Sequence, residues 1–166
     1  MLRQLHHMLF TDPARGLCYN QRMAQDRFMV RAAVYLLLIR DDKVLLLRRF
    51  NTGWSDGMYT LPAGHLDGNE PLTVAMSREA HEETGVTIKP ENLTFVHAMH
   101  RQSDREYLDF FFIAHEWEGE PVNTEPEKCD EVQWFPLGAL PENILPYVRQ
   151  VVDGYRTGAV FSETGW

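Results

Sequence analysis

Along the chain, apolar residues first gather at 28–40, FMVRAAVYLLLIR, where 32–39 carry no charged interruption. A short run rich in β-formers and apolar at every position predicts a strand covered on both faces. Asp41 and Asp42 make a turn, and KVLLLRR at 43–49 predicts a second strand running back. Residues 51–59, NTGWSDGMY, hold two glycines and read as a loop. From Leu72 the period changes: Leu72, Ala75, Met76 and Ala80 recur at helical spacing, and Gly85 stands where a C-terminal cap is expected. The chain then returns to strand, is broken by Pro90-Glu91-Asn92, and resumes as LTFVHAMH at 93–100 and EYLDFFFIAHEW at 106–117. These two read as antiparallel neighbours about a polar turn at 101–105. Phe110, Phe111 and Phe112 must point to alternate faces, so at least one looks away from the core interior. A loop rich in acids runs from 118 to about 130, followed by a short strand at 132–135. The last helix opens at 140–143, with Ile144, Val148, Val151 and Tyr155 as its core stripe.

A chain of 166 residues is one domain's worth and can bury a real core. The domain is expected to span 28–158, with an N-terminal extension at 1–27 and a tail at 159–166. In the extension Leu2, Leu5 and Leu9 suit a turn or two of helix that Asp12-Pro13 stops. His6 and His7 are adjacent and do not face one another on a helix, which speaks against a metal pair. The tail ends in Trp166, expected to tuck against the body or a second subunit, so monomer and homodimer both stay open. Cys18 and Cys129 form neither a disulfide framework nor a zinc cluster and suit a reducing compartment, with the cytoplasm as default. The longest apolar run is far short of a membrane span, and MLRQLHHMLF lacks a signal-like segment. Formal net charge is −8, from 24 acidic and 16 basic residues, which argues against a nucleic-acid backbone as partner. A polyanionic small substrate would have to be met by local positive charge or bound metal.

The concentrated chemistry lies at 64–86, GHLDGNEPLTVAMSREAHEETGV. Glu79, Glu82 and Glu83 stand at i, i+3 and i+4 and share one side of the helix. Like charges so placed repel, and a hard divalent cation such as Mg²⁺ above them explains the cost. Gly64, five residues, Glu70, seven residues, Arg78-Glu79-Ala80, one residue, Glu82-Glu83, one residue, Gly85-Val86 resembles the signature of the Nudix hydrolases at every fixed position. That resemblance implies an α/β fold, an α/β/α sandwich with a mixed, curved sheet between helices. It implies hydrolysis of a nucleoside diphosphate linked to a group X, assisted by Mg²⁺ or Mn²⁺ held by Glu79, Glu82 and Glu83, with Glu82 foremost. By the same resemblance the carbonyl of Ala63 is a further ligand, Arg78 orients Glu79 or another carboxylate of the segment, and Glu70 holds the loop against the helix. The family also draws on an acid from outside this segment. Residues 117–121, WEGEP, resemble the corresponding loop of its oxidised-nucleotide-cleaning branch and point to Glu120, with Glu127 as fallback. The general base stays open among Glu79, Glu120 and Glu127. His65 is expected nearer the site than His81.

Three positions bear on substrate. Arg48 and Arg49 end a strand, where one of them meets a phosphate or both serve as salt-bridge groups. Trp54 either stacks on a base or packs over its own loop. Asn143 either caps the last helix or, by resemblance to the nucleotide-cleaning branch, contacts a purine. The expected partner is a small nucleotide, a nucleoside triphosphate first and ADP-ribose or another nucleotide sugar second. The proline that marks the ADP-ribose branch is missing: none occurs between Pro90 and Pro121, and Arg101, Gln102 and Ser103 occupy its neighbourhood. Tyr107, a feature of dinucleoside polyphosphate cleavers, falls inside an expected strand. RNA ends are disfavoured by charge. A non-catalytic, nucleotide-sensing module is the remaining alternative, and the intact signature speaks against it.

Overall fold

Strand β1 (Arg31–Arg40) sends alternate side chains into two separate cores. Ala33, Tyr35 and Leu37 pack with Met99, Phe111 and Val148, whereas Val34, Leu36 and Leu38 pack with Ala75, Met76, Ala80 and Phe112. The alternation is the period of a strand, and it explains why the segment is apolar at every position rather than every other one. Leu36 and Leu37 are both fully buried, each worth roughly 1.5–3 kcal/mol. The structure is a computed structural model and describes residues 28–166; the expected extension, with Leu2, Leu5, Leu9, His6, His7 and Cys18, lies outside them.

After β1 come β2 (Lys43–Arg49), β3 (Tyr59–Thr60), β4 (Ala63–His65) and helix α1 (Leu72–Thr84). A 3₁₀ turn at Pro90–Asn92 leads to β5 (Leu93–Gln102), β6 (Glu106–Ala114) and β7 (Cys129–Pro136). Helix α2 (Pro146–Thr157) and β8 (Phe161–Thr164) close the chain. The sheet runs β3-β2-β1-β6-β5-β8, with β4 also on β1 and β7 also on β2. It is mixed: β1 and β6 are parallel from Arg31↔Tyr107 to Leu38↔Ala114, as are β5 and β8, and the other pairs are antiparallel. Helix α1 covers one face and α2 the other, the expected α/β/α sandwich.

β1 forks. Its last residues pair with β2 (Ile39↔Val44, Arg40↔Lys43), while β4 takes the same edge lower down (Ala33↔His65, Val34↔Gly64, Tyr35↔Ala63). β2 thus leaves β1 after one turn and carries β3 and β7 away with it. The signature loop enters beside that opening.

Several boundaries differ from the sequence reading. Residues 28–30 precede β1 without pairing, and Arg101 and Gln102 extend β5 into the expected turn. β6 ends at Ala114 rather than Trp117, and the return after Gly85 is one bridge, Thr87↔Glu118. The last helix starts at Pro146, a residue suited to a first turn, instead of at 140–143. The tail is not separate: its β8 adds a parallel strand on β5, and Trp166 lies against the His100 ring at 4.7 Å.

Candidate active site

Gly85 ends α1 in the left-handed conformation, φ 71°, and its N–H bonds the carbonyl of His81. A helix leaves its last carbonyls unpaired, and here the acidic loop supplies the donors. Val122 N bonds Thr84 O at 3.0 Å, Thr124 N bonds Glu83 O at 3.4 Å, and Thr124 Oγ1 donates to Glu82 O. The loop is thereby stitched onto the end of α1. Just beyond, Lys128 N and Cys129 N both bond Glu125 O at 2.9 Å, closing a tight turn that faces Glu83.

Glu83, Glu125, Lys128, Cys129, Arg48 and Arg49 line a cavity of ≈ 230 Å³. Glu83 accepts from Ala63 N at 2.8 Å, yet burial dominates and pushes its carboxyl up to about 8. Ala63 itself is turned for service. Leu36 N bonds Pro62 O and Leu66 N bonds Ala32 O, so β4 alternates its backbone groups, and those of Ala63 face away from β1 on the Glu83 side.

Glu79 lies against Gly64, where a Cβ would overlap its carboxyl group. Arg78 Nη1 donates to Glu79 Oε1 at 2.8 Å, and Nη2 to Glu70 Oε1 at 3.0 Å and His65 O at 3.3 Å. Glu70 also accepts from Asp67 N at 2.8 Å, and the Arg78 bond first, then this one, holds its carboxyl low. The same pairs raise Arg78, but Glu79 is raised as well, because burial outweighs the guanidinium. Glu82 is the exposed member, 3.5 Å from Arg78 Nη1. Among the described residues no three Asp, Glu, His or Cys side chains are gathered as a ready cation cluster. Glu79 is turned to Arg78 and Glu83 to Ala63 N. The donor set is nonetheless all hard oxygen (carboxylates and one carbonyl), the kind that Mg²⁺ and Mn²⁺ take.

Glu120, the outside acid to which the WEGEP resemblance points, lies away from the Glu83 cavity. Both oxygens of Glu120 accept from Arg40 Nη1, at 3.1 and 2.9 Å, on an exposed corner where Arg40 also covers Trp134. Glu120 does not line the cavity, nor does the fallback Glu127; Glu125 does. The signal for it was Lys128, the one base among that loop's acids.

A second cavity of ≈ 310 Å³ lies beside the first and shares Arg49 with it. Trp54, His65, Tyr107 and Tyr147 line it, and Arg101 forms part of its wall. Arg101 is held between the Tyr107 ring at 4.2 Å and the Tyr147 ring at 4.5 Å, and its Nε donates to Asp109 at 2.7 Å. Arg49 lies over Trp54 at 4.8 Å, with Nε on Trp54 O and Nη2 on Thr52 Oγ1, both 2.9 Å. Its Nη1 has no acceptor among the described residues. Arg48 is otherwise engaged, through Asp130 at 2.7 Å and Glu131 at 2.9 Å. His81 is exposed and lines neither cavity. Asn143 does not cap α2, whose N-cap is Leu145, and it does not line the aromatic cavity. Its side chain donates to Gly57 O at 2.7 Å and ties down the loop that carries Trp54.

A glycine-led loop running into a glutamate-faced helix, on a mixed sheet between two helices, defines a class of hydrolase. The model of the NUDIX domain matches residues 29–154, and the chain belongs to that family, whose hydrolases generally use divalent metal ions. It is 26% identical over 150 residues to an ADP-ribose pyrophosphatase of Methanocaldococcus jannaschii, covering 85% of this chain and 87% of that protein. It is 29% identical over 172 residues to the NAD-capped RNA hydrolase NudC of Pseudomonas aeruginosa, covering 96% of this chain but 54% of the relative. The chain thus spans about half the length of that protein. A MutT NUDIX hydrolase from Burkholderia pseudomallei superposes with a TM-score of 0.70 at 26% identity, over 76% of this chain and 98% of the other. No helix among the described residues is long and apolar enough to cross a membrane.

Proposed function

We propose that the protein hydrolyses a nucleoside triphosphate, with Mg²⁺ or Mn²⁺, to nucleoside monophosphate and pyrophosphate. The observation that carries this is the pair of unlike cavities meeting at Arg49. One is lined by three cationic side chains, Arg48, Arg49 and Lys128, beside Glu83 and Glu125. The other is walled by Trp54, Tyr107 and Tyr147. A triphosphate has one polyanionic end and one flat organic end, and so matches one cavity of each kind.

Glu79, Glu82, Glu83, Glu125 and the carbonyl of Ala63 are the oxygens that would hold the metal. When bound, such an ion neutralises phosphate charge and lowers the pKa of a bound water. The side chains supply the rest. Arg78 holds Glu79 in place beside Gly64, opposing the burial that raises its carboxyl, and Glu70 keeps Arg78 on the loop. Arg49 lines both cavities, and its Nη1, without an acceptor among the described residues, is available to a phosphate that bridges them. Glu125, anchored through the end of α1, takes the role of outside acid that the resemblance had assigned to Glu120, and with Glu79 is a candidate to accept the water's proton. Trp54, pinned through Asn143 and Gly57, offers an indole to the base.

ADP-ribose is the second reading, favoured by the relative of that activity at 26% identity. A panel of nucleoside triphosphates, ADP-ribose and NAD with Mg²⁺, read by phosphorus NMR, separates the two. Turnover of triphosphates at least tenfold above ADP-ribose supports the first; the reverse order replaces it with the second.

A further inference from the structure

Lys128 Nζ lies 2.6 Å from Glu125 Oε1, and both side chains line the cavity that Glu83 closes. Lys128 and Glu83 are near enough for each charge to register on the other. The backbone makes this contact hard to escape, because Lys128 N and Cys129 N are bonded to Glu125 O within one turn. Asn123 braces the same turn, its Nδ2 on Cys129 O and its Oδ1 accepting from Glu125 N. Without Lys128, two carboxylates would share one cavity with Arg48 and Arg49, of which Arg48 is already committed to Asp130 and Glu131.

An ammonium on a four-carbon stem is compact and rotatable. Held three residues from its partner, it acts at a high effective concentration. It therefore occupies a Glu125 oxygen that a divalent cation would use, and it can swing off it without moving the turn. An arginine would grip the same carboxylate with a planar fork and release it less readily.

We propose that Lys128 is a tethered cation that satisfies the carboxylate of Glu125, beside Glu83, until a divalent ion enters, and then yields it. The proposal rests on the metal reading above, and it makes Lys128 a positioning residue, not a ligand or a proton carrier. It has two consequences. The metal-free protein keeps the loop on α1 with its charges matched, and metal affinity is set below what the oxygens alone would give.

The test is direct binding of Mn²⁺ to the full chain, with free Mn²⁺ counted by electron paramagnetic resonance, beside thermal melts with and without the ion. Lys128→Met is expected to tighten Mn²⁺ binding about two- to fivefold, the factor that one partly exposed ion pair is worth. Lys128→Arg is expected to bind as wild type does or more weakly. Lys128→Met should also melt lower than wild type without metal and gain more on adding Mn²⁺, whereas a merely structural salt bridge would lower both melts alike. Mn²⁺ affinity that is unchanged or weaker in Lys128→Met, with wild type binding normally, overturns the role of Lys128 alone. A wild-type chain that binds no Mn²⁺ overturns the metal reading and this role together.

Discussion

The carboxyl group of Glu79 rests on Gly64 so closely that a methyl group at position 64 would stand where that carboxyl stands. Gly64 is thus required for space, since no left-handed backbone angle is found there. Gly64→Ala is expected to push Glu79 off its bond to Arg78 and to lower kcat about 100-fold, the order of loss that a misplacement near 1 Å produces. Circular dichroism should show the fold retained. Activity within threefold of wild type would show that Glu79 does not act from this position.

Glu125 and Glu120 lie in one loop but do different work. Glu125→Gln is expected to lower kcat about 10- to 1000-fold, the range for a lost proton acceptor or charge group. Glu120→Gln removes only an exposed pair with Arg40, worth at most about 1 kcal/mol, and should leave kcat within twofold. Kinetics of both variants at one Mg²⁺ concentration decide it, and the opposite order would return the outside acid to Glu120.

That contrast shows where the sequence stops being legible. Gly64, Glu70, Arg78 and the three glutamates lie within 23 contiguous residues, and helical spacing alone places the glutamates together. The two-sided core was legible too, because β1 and Phe110 to Phe112 are apolar at consecutive positions. Glu125 was not, because its place depends on Thr124 and Val122 reaching the end of α1, contacts some forty residues apart in sequence. Arg48 and Arg49 alternate across β2, but which of them is left without an acidic partner among the described residues is decided by Asp130 and Glu131 on β7. β8 escaped notice because FSET at 161–164 is half polar and is ordered by its pairing with β5.

Asn143 and Trp54 should part company in kinetics. Asn143→Ala loses one exposed hydrogen bond to Gly57 O and is expected to cost about 0.5–1.5 kcal/mol at most, with the ranking of nucleotides unchanged. Trp54→Ala should weaken all nucleotides together, by roughly 1–3 kcal/mol if a base stacks there. Values of kcat/KM for GTP and CTP, beside a melt of each variant, check both. A purine-selective loss in Asn143→Ala would make it a base-reading group after all.

The wall of the aromatic cavity rests on a buried ion pair. Asp109 is fully buried and Arg101 nearly so, and burial lifts the Asp109 carboxyl although Arg101 opposes it. Asp109→Asn leaves the guanidinium uncompensated and is expected to destabilise the fold by about 3–5 kcal/mol, read by urea unfolding. A change below 1 kcal/mol would mean that Tyr107 and Tyr147 suffice to hold Arg101.

The central claim, metal-dependent cleavage of a triphosphate at the glutamate face of α1, is tested most directly by phosphorus NMR of GTP with wild type and Glu82→Gln at saturating Mg²⁺. The account predicts GMP and pyrophosphate from wild type, no turnover once Mg²⁺ is chelated, and at least a tenfold loss in Glu82→Gln with the fold intact. GDP and inorganic phosphate as products, or a Glu82→Gln rate within twofold of wild type, would contradict it.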